Sequence, residues 1–197
     1  MTAIPKTSEQ ITSEEYLAGE KLAEVRHEYV DGHVYAMAGT SDEHNRILVN
    51  LGSELRTALR GKRCEPFTVD VKVKIPPAFA DAFYYPDVMV ACDPTDNAKY
   101  FRERPTVIFE ILSPDTERTD RREKAIAYRQ ISTIQNYILV EQDRLAMTVL
   151  HRAEDGWRKE ELEGRDARLR LASIDVELSL AAIYERTAAW TRTVSAK

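Results

Sequence analysis

The run TVIFEILSP, residues 106–114, is a short apolar stretch with a single acid inside it. Glu110 has bulky apolar neighbours on both sides in VIFEIL, which reads as a strand. A carboxylate in such a strand is costly to bury unless a cation or hydrogen bonds hold it. Strand alternation puts Glu110 on the side of Ile108 and Leu112, while Val107, Phe109 and Ile111 face the other way. An acid at a strand's solvent edge, or one paired with an arginine, is the competing reading.

Upstream, AFYYPDVMVAC (residues 82–92) reads as a second strand. Its Pro86 cannot donate to a ladder and marks the strand's start or an edge. Asp87 follows, and a Pro-Asp pair by itself is common turn chemistry. Its company is what raises it: two acids, each in an apolar strand, separated by one connection. If those strands are neighbours, both carboxylates project at one end and share a hard cation through oxygen ligands. Such an ion would activate water and neutralise charge on a transferring phosphoryl group.

Lys124 is the third candidate, on a helix expected from roughly Asp120 to Ile131. It lines up there with Arg121, Tyr128 and Ile131 at steps of three, four and three. A lysine snorkelling along the helix edge is the alternative. Glu28, before an Asp31-Gly32 turn, and His44, at the opening of a second helix, would add a ligand or a proton-transfer group. For His44 an exposed or helix-capping role competes.

Working outward, a hydroxyl at Thr12 or Ser13 before Glu14 and Glu15 signals a helix start. Asp31-Gly32 between two apolar runs signals a two-residue hairpin. Ile47, Leu48, Leu51, Leu55 and Leu59 recur at steps of three and four, a helix from about Glu43 to Leu59 with Gly61 near its end. Val69, Val71, Val73 and Ile75 alternate with polar residues as one half-wet strand stopped by Pro76-Pro77. NYILVEQ and LAMTVLHRA read as strands around a Gln142-Asp143 turn. WRKEELEG and ARLRLASI read as peripheral strands, and Leu178 to Trp190 as a closing helix. The order describes a mixed α/β domain around one sheet.

A chain of 197 residues suits one domain with a real core. No apolar run approaches the roughly 20 residues that span a bilayer, and MTAIPKTSEQ lacks the layout of a secretory signal. Cys64 and Cys92 stand far apart with no CxxC partner, so inert, reduced thiols in a cytoplasmic protein are expected. Lys and Arg number 28 against 33 Asp and Glu, a net charge of −5, which weighs against tight nonspecific DNA binding. A local basic face is still open to Arg118, Arg121, Arg122, Lys124 and Arg129. Glycine loops for nucleotide phosphates, GxSxG elbows and HExxH are all absent from the sequence.

Five ordered stretches resemble one family: RHEYVDGHVYAMAG (26–39), SDEHNRILVNL (41–51), YYPDVMV (84–90), VIFEILSPDTERTDRREKAIAYRQ (107–130) and QNYILVEQ (135–142). They are similar to the bacterial Uma-two family of restriction endonuclease-like proteins in the PD-(D/E)XK superfamily, from about Thr12 to Ile183. The resemblance implies a restriction endonuclease-like core with flanking helices and an N-terminal hairpin. It implies Asp87 and Glu110 as metal-binding acids, with Glu28 and the Ile111 carbonyl as further ligands of Mg²⁺ or Mn²⁺. The motif's lysine position, two after Glu110, holds Leu112, and Lys124 would stand in for it. Arg118, Arg121 and Arg122 would meet nucleic acid. DNA is the implied substrate, and a homodimer is expected because edge strands in small sheets are often covered by a partner. Two other readings stay open: a non-catalytic interaction protein that kept the fold, and a hydrolase of RNA or a nucleotide.

Overall fold

The computed structural model describes residues 10–114 and 117–195. The N-terminal MTAIPKTSE, read above for a secretory layout, and Asp115–Thr116 of the family motif lie outside the described residues. Helix α1 (Ser13–Glu20) opens on a capping box: Thr12 Oγ1 accepts from Glu15 N–H, and the Glu15 carboxylate accepts from Thr12 N–H. Strands β1 (His27–Val30) and β2 (His33–Ala36) form the expected hairpin. Its turn residues Asp31 and Gly32 have φ of 45° and 90°, the mirror-image turn that matches strand twist. Helix α2 (Asp42–Ala58) is capped by Ser41 and buries His44, Ile47, Leu51 and Leu55 along one stripe.

The next strands are β3 (Glu65–Thr68), β4 (Lys72–Lys74), β5 (Ala82–Tyr84), β6 (Val88–Ala91), β7 (Phe101–Arg102) and β8 (Pro105–Ile111). A composite helix follows: α3 (Glu117–Thr119), a π-helical turn (Asp120–Lys124) and α4 (Ala125–Arg129). Then come β9 (Asn136–Val140), β10 (Ala146–Ala153), β11 (Gly156–Glu163), β12 (Arg168–Leu171), a 3₁₀ turn (Ala172–Ile174), β13 (Val176–Ser179), α5 (Leu180–Ile183) and α6 (Ala188–Ser195). The fold is mixed α/β, but not around one sheet. Strands pair in the orders β2-β1-β5-β4-β7 and β11-β10-β9-β8-β6-β3, with β12-β13 as a separate ribbon.

Two stretches expected as single strands break where the chain changes sheet. The alternation from Val69 to Ile75 is confined to β4, because Val69 adopts φ 37°, a region a β-branched side chain rarely enters. Val69 N–H donates to the Asp87 carbonyl at 3.1 Å. The AFYYPDVMVAC stretch divides into β5 and β6 at Tyr85-Pro86-Asp87, where Pro86 has no N–H for a ladder. Both crossovers meet at the same point, so Asp87 sits at the junction of the two sheets.

Near the C-terminus the helix expected from Leu178 to Trp190 is instead β13, then α5 and α6. Val176 and Leu178 alternate inward and pair with Leu171 and Leu169 of β12, so cross-strand burial overrides helical propensity. The central strands β6, β8 and β9 of the six-stranded sheet are buried on both faces, as their continuous apolar sequences require, while β11 and β3 at its ends are largely exposed. One face packs Val88, Phe109 and Ile138 against α2, α5 and the ribbon; the other packs Ile108, Leu112 and Leu139 against α4 and β4.

The cysteines are not free thiols. β3 and β6 pair with Glu65 opposite Ala91, so the next pair outward is Cys64 and Cys92, joined as a disulfide. A separation of 28 residues hid a contact that strand pairing makes direct. The cytoplasmic expectation loses the support it took from reduced thiols. No helix among the described residues is long and apolar enough to cross a membrane. Thiol titration of the non-reduced protein is expected to find no free thiol, and reduction to lower unfolding stability by about 3–4 kcal/mol, from the loop the bridge closes. Two titratable thiols before reduction would refute the bridge.

Candidate active site

Val88 of β6 stands opposite Phe109 of β8 in an antiparallel pair, which sets Asp87 level with Glu110. Asp87 N–H donates to Glu110 Oε2 at 3.3 Å, and Ile111 N–H donates to Asp87 Oδ2 at 2.7 Å. Glu110 is 2% exposed and turns to the same face as Ile108 and Leu112, as strand alternation requires. Tyr128, from α4, donates its hydroxyl to Glu110 Oε1 at 3.1 Å.

Lys124 does not snorkel to water. At 7% exposure its ammonium lies 2.9 Å from Glu28 Oε1, 3.5 Å from Glu110 Oε1 and 3.5 Å from Asp120 Oδ1. Glu28 arrives from β1, and its Oε1 also accepts Tyr85 N–H at 3.1 Å. His44 is buried rather than exposed, with Nε2 3.2 Å from Asp87 Oδ2. Its Nδ1 is buried with no hydrogen-bond partner among the described residues. A buried lone pair costs less than a buried unpaired N–H, so the tautomer with the proton on Nε2 fits best, and that proton points at Asp87.

The sequence reading named Asp87, Glu110, Lys124, Glu28 and His44, and the fold brings all five together. It missed Asp120 and the hydroxyl of Tyr128 as members. Asp120, Lys124 and Tyr128 recur at steps of four in DRREKAIAY, which was the available signal. The π-helical turn from Asp120 to Lys124 was not expected. Such turns insert one residue into a helix and re-aim its side chains, and they recur at functional sites.

Arg121 is engaged elsewhere, 2.8 Å from Glu117 and 2.7 Å from Glu141. It lines a polar surface cavity with Arg144 and Lys159, facing Glu161 and Glu163. Arg118 and Arg122 are exposed on the same helical segment.

Three carboxylates (Glu28, Glu110 and Asp120) face one ammonium, and Asp87 adjoins Glu110, so the fully ionised cluster is short of positive charge. Burial is the largest influence on Glu110 and pushes its carboxyl well above the usual range; Lys124 opposes this, and Asp120, Asp87 and Glu28 reinforce it. Burial pulls the Lys124 ammonium down, but Glu110, Glu28 and Asp120 outweigh it and hold it well above the ordinary lysine value. A carboxyl raised in this way binds a proton on folding between its ordinary value and the raised one. Its stabilising contribution is therefore present on the acid side of that window and is lost as pH rises through it. The metal-free Glu110→Gln protein, compared with wild type in urea across pH 5 to 8, is expected to lose less stability toward alkaline pH. Parallel profiles would show that Glu110 does not titrate in that window.

Among the described residues, no three His, Cys, Asp or Glu side chains close into a ready cage for a metal. The Lys124 ammonium stands among the carboxylates instead. The donor chemistry nevertheless suits a hard divalent cation: the acids are oxygen donors in a cluster lacking positive charge. Leu112, at the motif's lysine position, is buried in the apolar core, and the ammonium reaches Glu110 from the helix.

A model of the Uma2 (Uma-two) family, described as "Putative restriction endonuclease", matches residues 13–182. Two uncharacterised proteins of Synechocystis sp. are similar to the chain. One is 35% identical over 177 residues, covering 89% of this chain and 92% of the relative. The other is 31% identical over 176 residues, covering 86% and 97%. A crystal structure of a "putative nuclease belonging to DUF820" from Anabaena variabilis superposes with a TM-score of 0.70 at 20% identity, covering 88% of this chain and 97% of that one. That likeness shows a shared fold.

Proposed function

Because the chain belongs to the Uma2 family, we propose that it is a metal-dependent endonuclease hydrolysing phosphodiester bonds of DNA, acting as one domain. The observation that carries this reading is the meeting of Asp87 and Glu110 across neighbouring strands with the Lys124 ammonium beside them. Asp87, Glu110, Glu28 and the Ile111 carbonyl are the residues that would hold Mg²⁺ or Mn²⁺. Bound there, such an ion would supply Lewis acidity and activate water as a nucleophile.

The chain's own residues do the rest. The Ile111 N–H and His44 fix the Asp87 carboxylate, and the Tyr128 hydroxyl fixes Glu110, so neither acid has to reorganise when charge develops. Lys124 provides a positive charge beside the reacting phosphate. The Tyr84, Tyr128 and Tyr137 rings behind it, in edge-on and tilted contact, keep water out from the core side. Asp87 and Glu28 each keep a side chain 16% exposed, so these two acids are where the cluster would be open to substrate. Arg118 and Arg122 would neutralise flanking phosphates. Arg121, held between two carboxylates, contributes through those contacts or exchanges one of them for a phosphate. A homodimer is part of this reading, supported by the open edges of β2 and β3.

The second reading, a non-catalytic protein that kept the fold, is favoured by Leu112 at the motif's lysine position and by the net charge of −5. Supercoiled plasmid and single-stranded RNA incubated with the protein and Mg²⁺ or Mn²⁺ separate the two. Nicking of the plasmid that EDTA stops is the expected result. Cutting of RNA alone would move the substrate class, and intact nucleic acid with both ions would favour the binder.

A further inference from the structure

Lys124 has a place in this cluster that a catalytic lysine does not need. Here the ammonium is the group that joins Glu28 from β1, Glu110 from β8 and Asp120 from the π-helical turn, at 2.9, 3.5 and 3.5 Å. Its side chain is 8% exposed, against 3% for Glu110 and Asp120 and 16% for Glu28. Among the described residues no three metal-binding side chains close into a cage in this arrangement.

We propose that Lys124 is a placeholder cation: it fills the carboxylate cluster in the metal-free protein and must leave Glu28 and Glu110 for a divalent ion to bind. The proposal rests on the metal-dependent reading above and deepens it. Two positive groups a few ångströms apart in a poorly solvated site repel strongly, so ion and ammonium do not share the same oxygens. Glu28 Oε1, now satisfied by Lys124 and by Tyr85 N–H, is released toward the ion. The lysine stem has four methylenes, so the ammonium can change partners without moving the backbone, and a phosphate at the cluster's mouth offers it a new counter-charge. Metal affinity is thereby held down until substrate is present to receive the ammonium.

The experiment is Mn²⁺ titration of the full chain by calorimetry and by the loss of the free-ion electron spin resonance signal, without nucleic acid. Lys124→Met and Lys124→Gln are compared with wild type and with Lys124→Arg. Both neutral variants are expected to bind Mn²⁺ on the order of tenfold tighter than wild type, since each removes a repelling charge, and Lys124→Arg to stay near wild type. Adding Asp87→Asn to either neutral variant should abolish the gain, which locates the ion. Lys124→Gln keeps a hydrogen-bond donor for Glu28 and guards against loss of folding in Lys124→Met. Wild type binding Mn²⁺ as well as or better than both folded neutral variants would overturn the placeholder role and leave the nuclease reading standing. No Mn²⁺ bound by any of the proteins would overturn both.

Discussion

Changing Asp87 to asparagine is expected to remove metal-dependent cleavage while leaving the fold in place. The oxygen that accepts from Ile111 N–H at 2.7 Å and faces His44 Nε2 at 3.2 Å survives in asparagine as the amide carbonyl. The backbone N–H that donates to Glu110 is untouched. What disappears is the negative charge, and with it one hard ligand. Partners one shell further out are typically worth 10–100-fold in metal affinity or activity, so loss of the ligand itself should cost more than about 100-fold. The measurement is the initial rate of plasmid nicking at saturating Mg²⁺ or Mn²⁺, alongside the thermal midpoint. Wild-type nicking by Asp87→Asn would mean that the cutting comes from a contaminant or from another site.

Lys124→Met should have the largest effect on stability. Breaking a buried ion pair by removing one partner typically costs 3–5 kcal/mol, because the remaining charges stay buried without compensation. Here three carboxylates lose the ammonium together, so a loss of about 3–5 kcal/mol is expected in urea at pH 8 without metal. The loss should shrink as pH falls, because burial raises the Glu110 carboxyl and, once protonated, it no longer needs the cation. Substituting Glu28→Gln in the same background should return part of the stability. A Lys124→Met protein with the wild-type urea midpoint at pH 8 would show that the ammonium does not hold the cluster together.

Both effects depend on a charge whose surroundings no linear reading supplies. Glu110 was legible because an acid inside VIFEIL contradicts its neighbours, and a contradiction of that kind needs a compensating partner. Asp87 was legible only by association, since Pro-Asp is ordinary turn chemistry. Lys124 stood between two readings of equal local merit, and its burial against Glu28 and Glu110 decided between them. Asp120 and Tyr128 were on the page at steps of four from Lys124, yet nothing local marked them as facing the same carboxylates. The disulfide was hidden in the same way: pairing of β3 with β6 makes Cys64 and Cys92 neighbours across 28 residues.

Local chemistry in the sequence determined the elements whose signals are short-range: the helix start at Thr12 or Ser13, the Asp31-Gly32 hairpin, the apolar stripe of α2 and the strand around Glu110. Each follows from backbone geometry and side-chain period within a few residues, and the structure reproduces each. Tertiary structure alone decided where strands change sheet, why Val69 is forced to positive φ beside Asp87, and that the tail folds as a ribbon before it turns helical. Those outcomes depend on contacts between residues far apart in the chain, whose free energy exists only once the partner strand is in place.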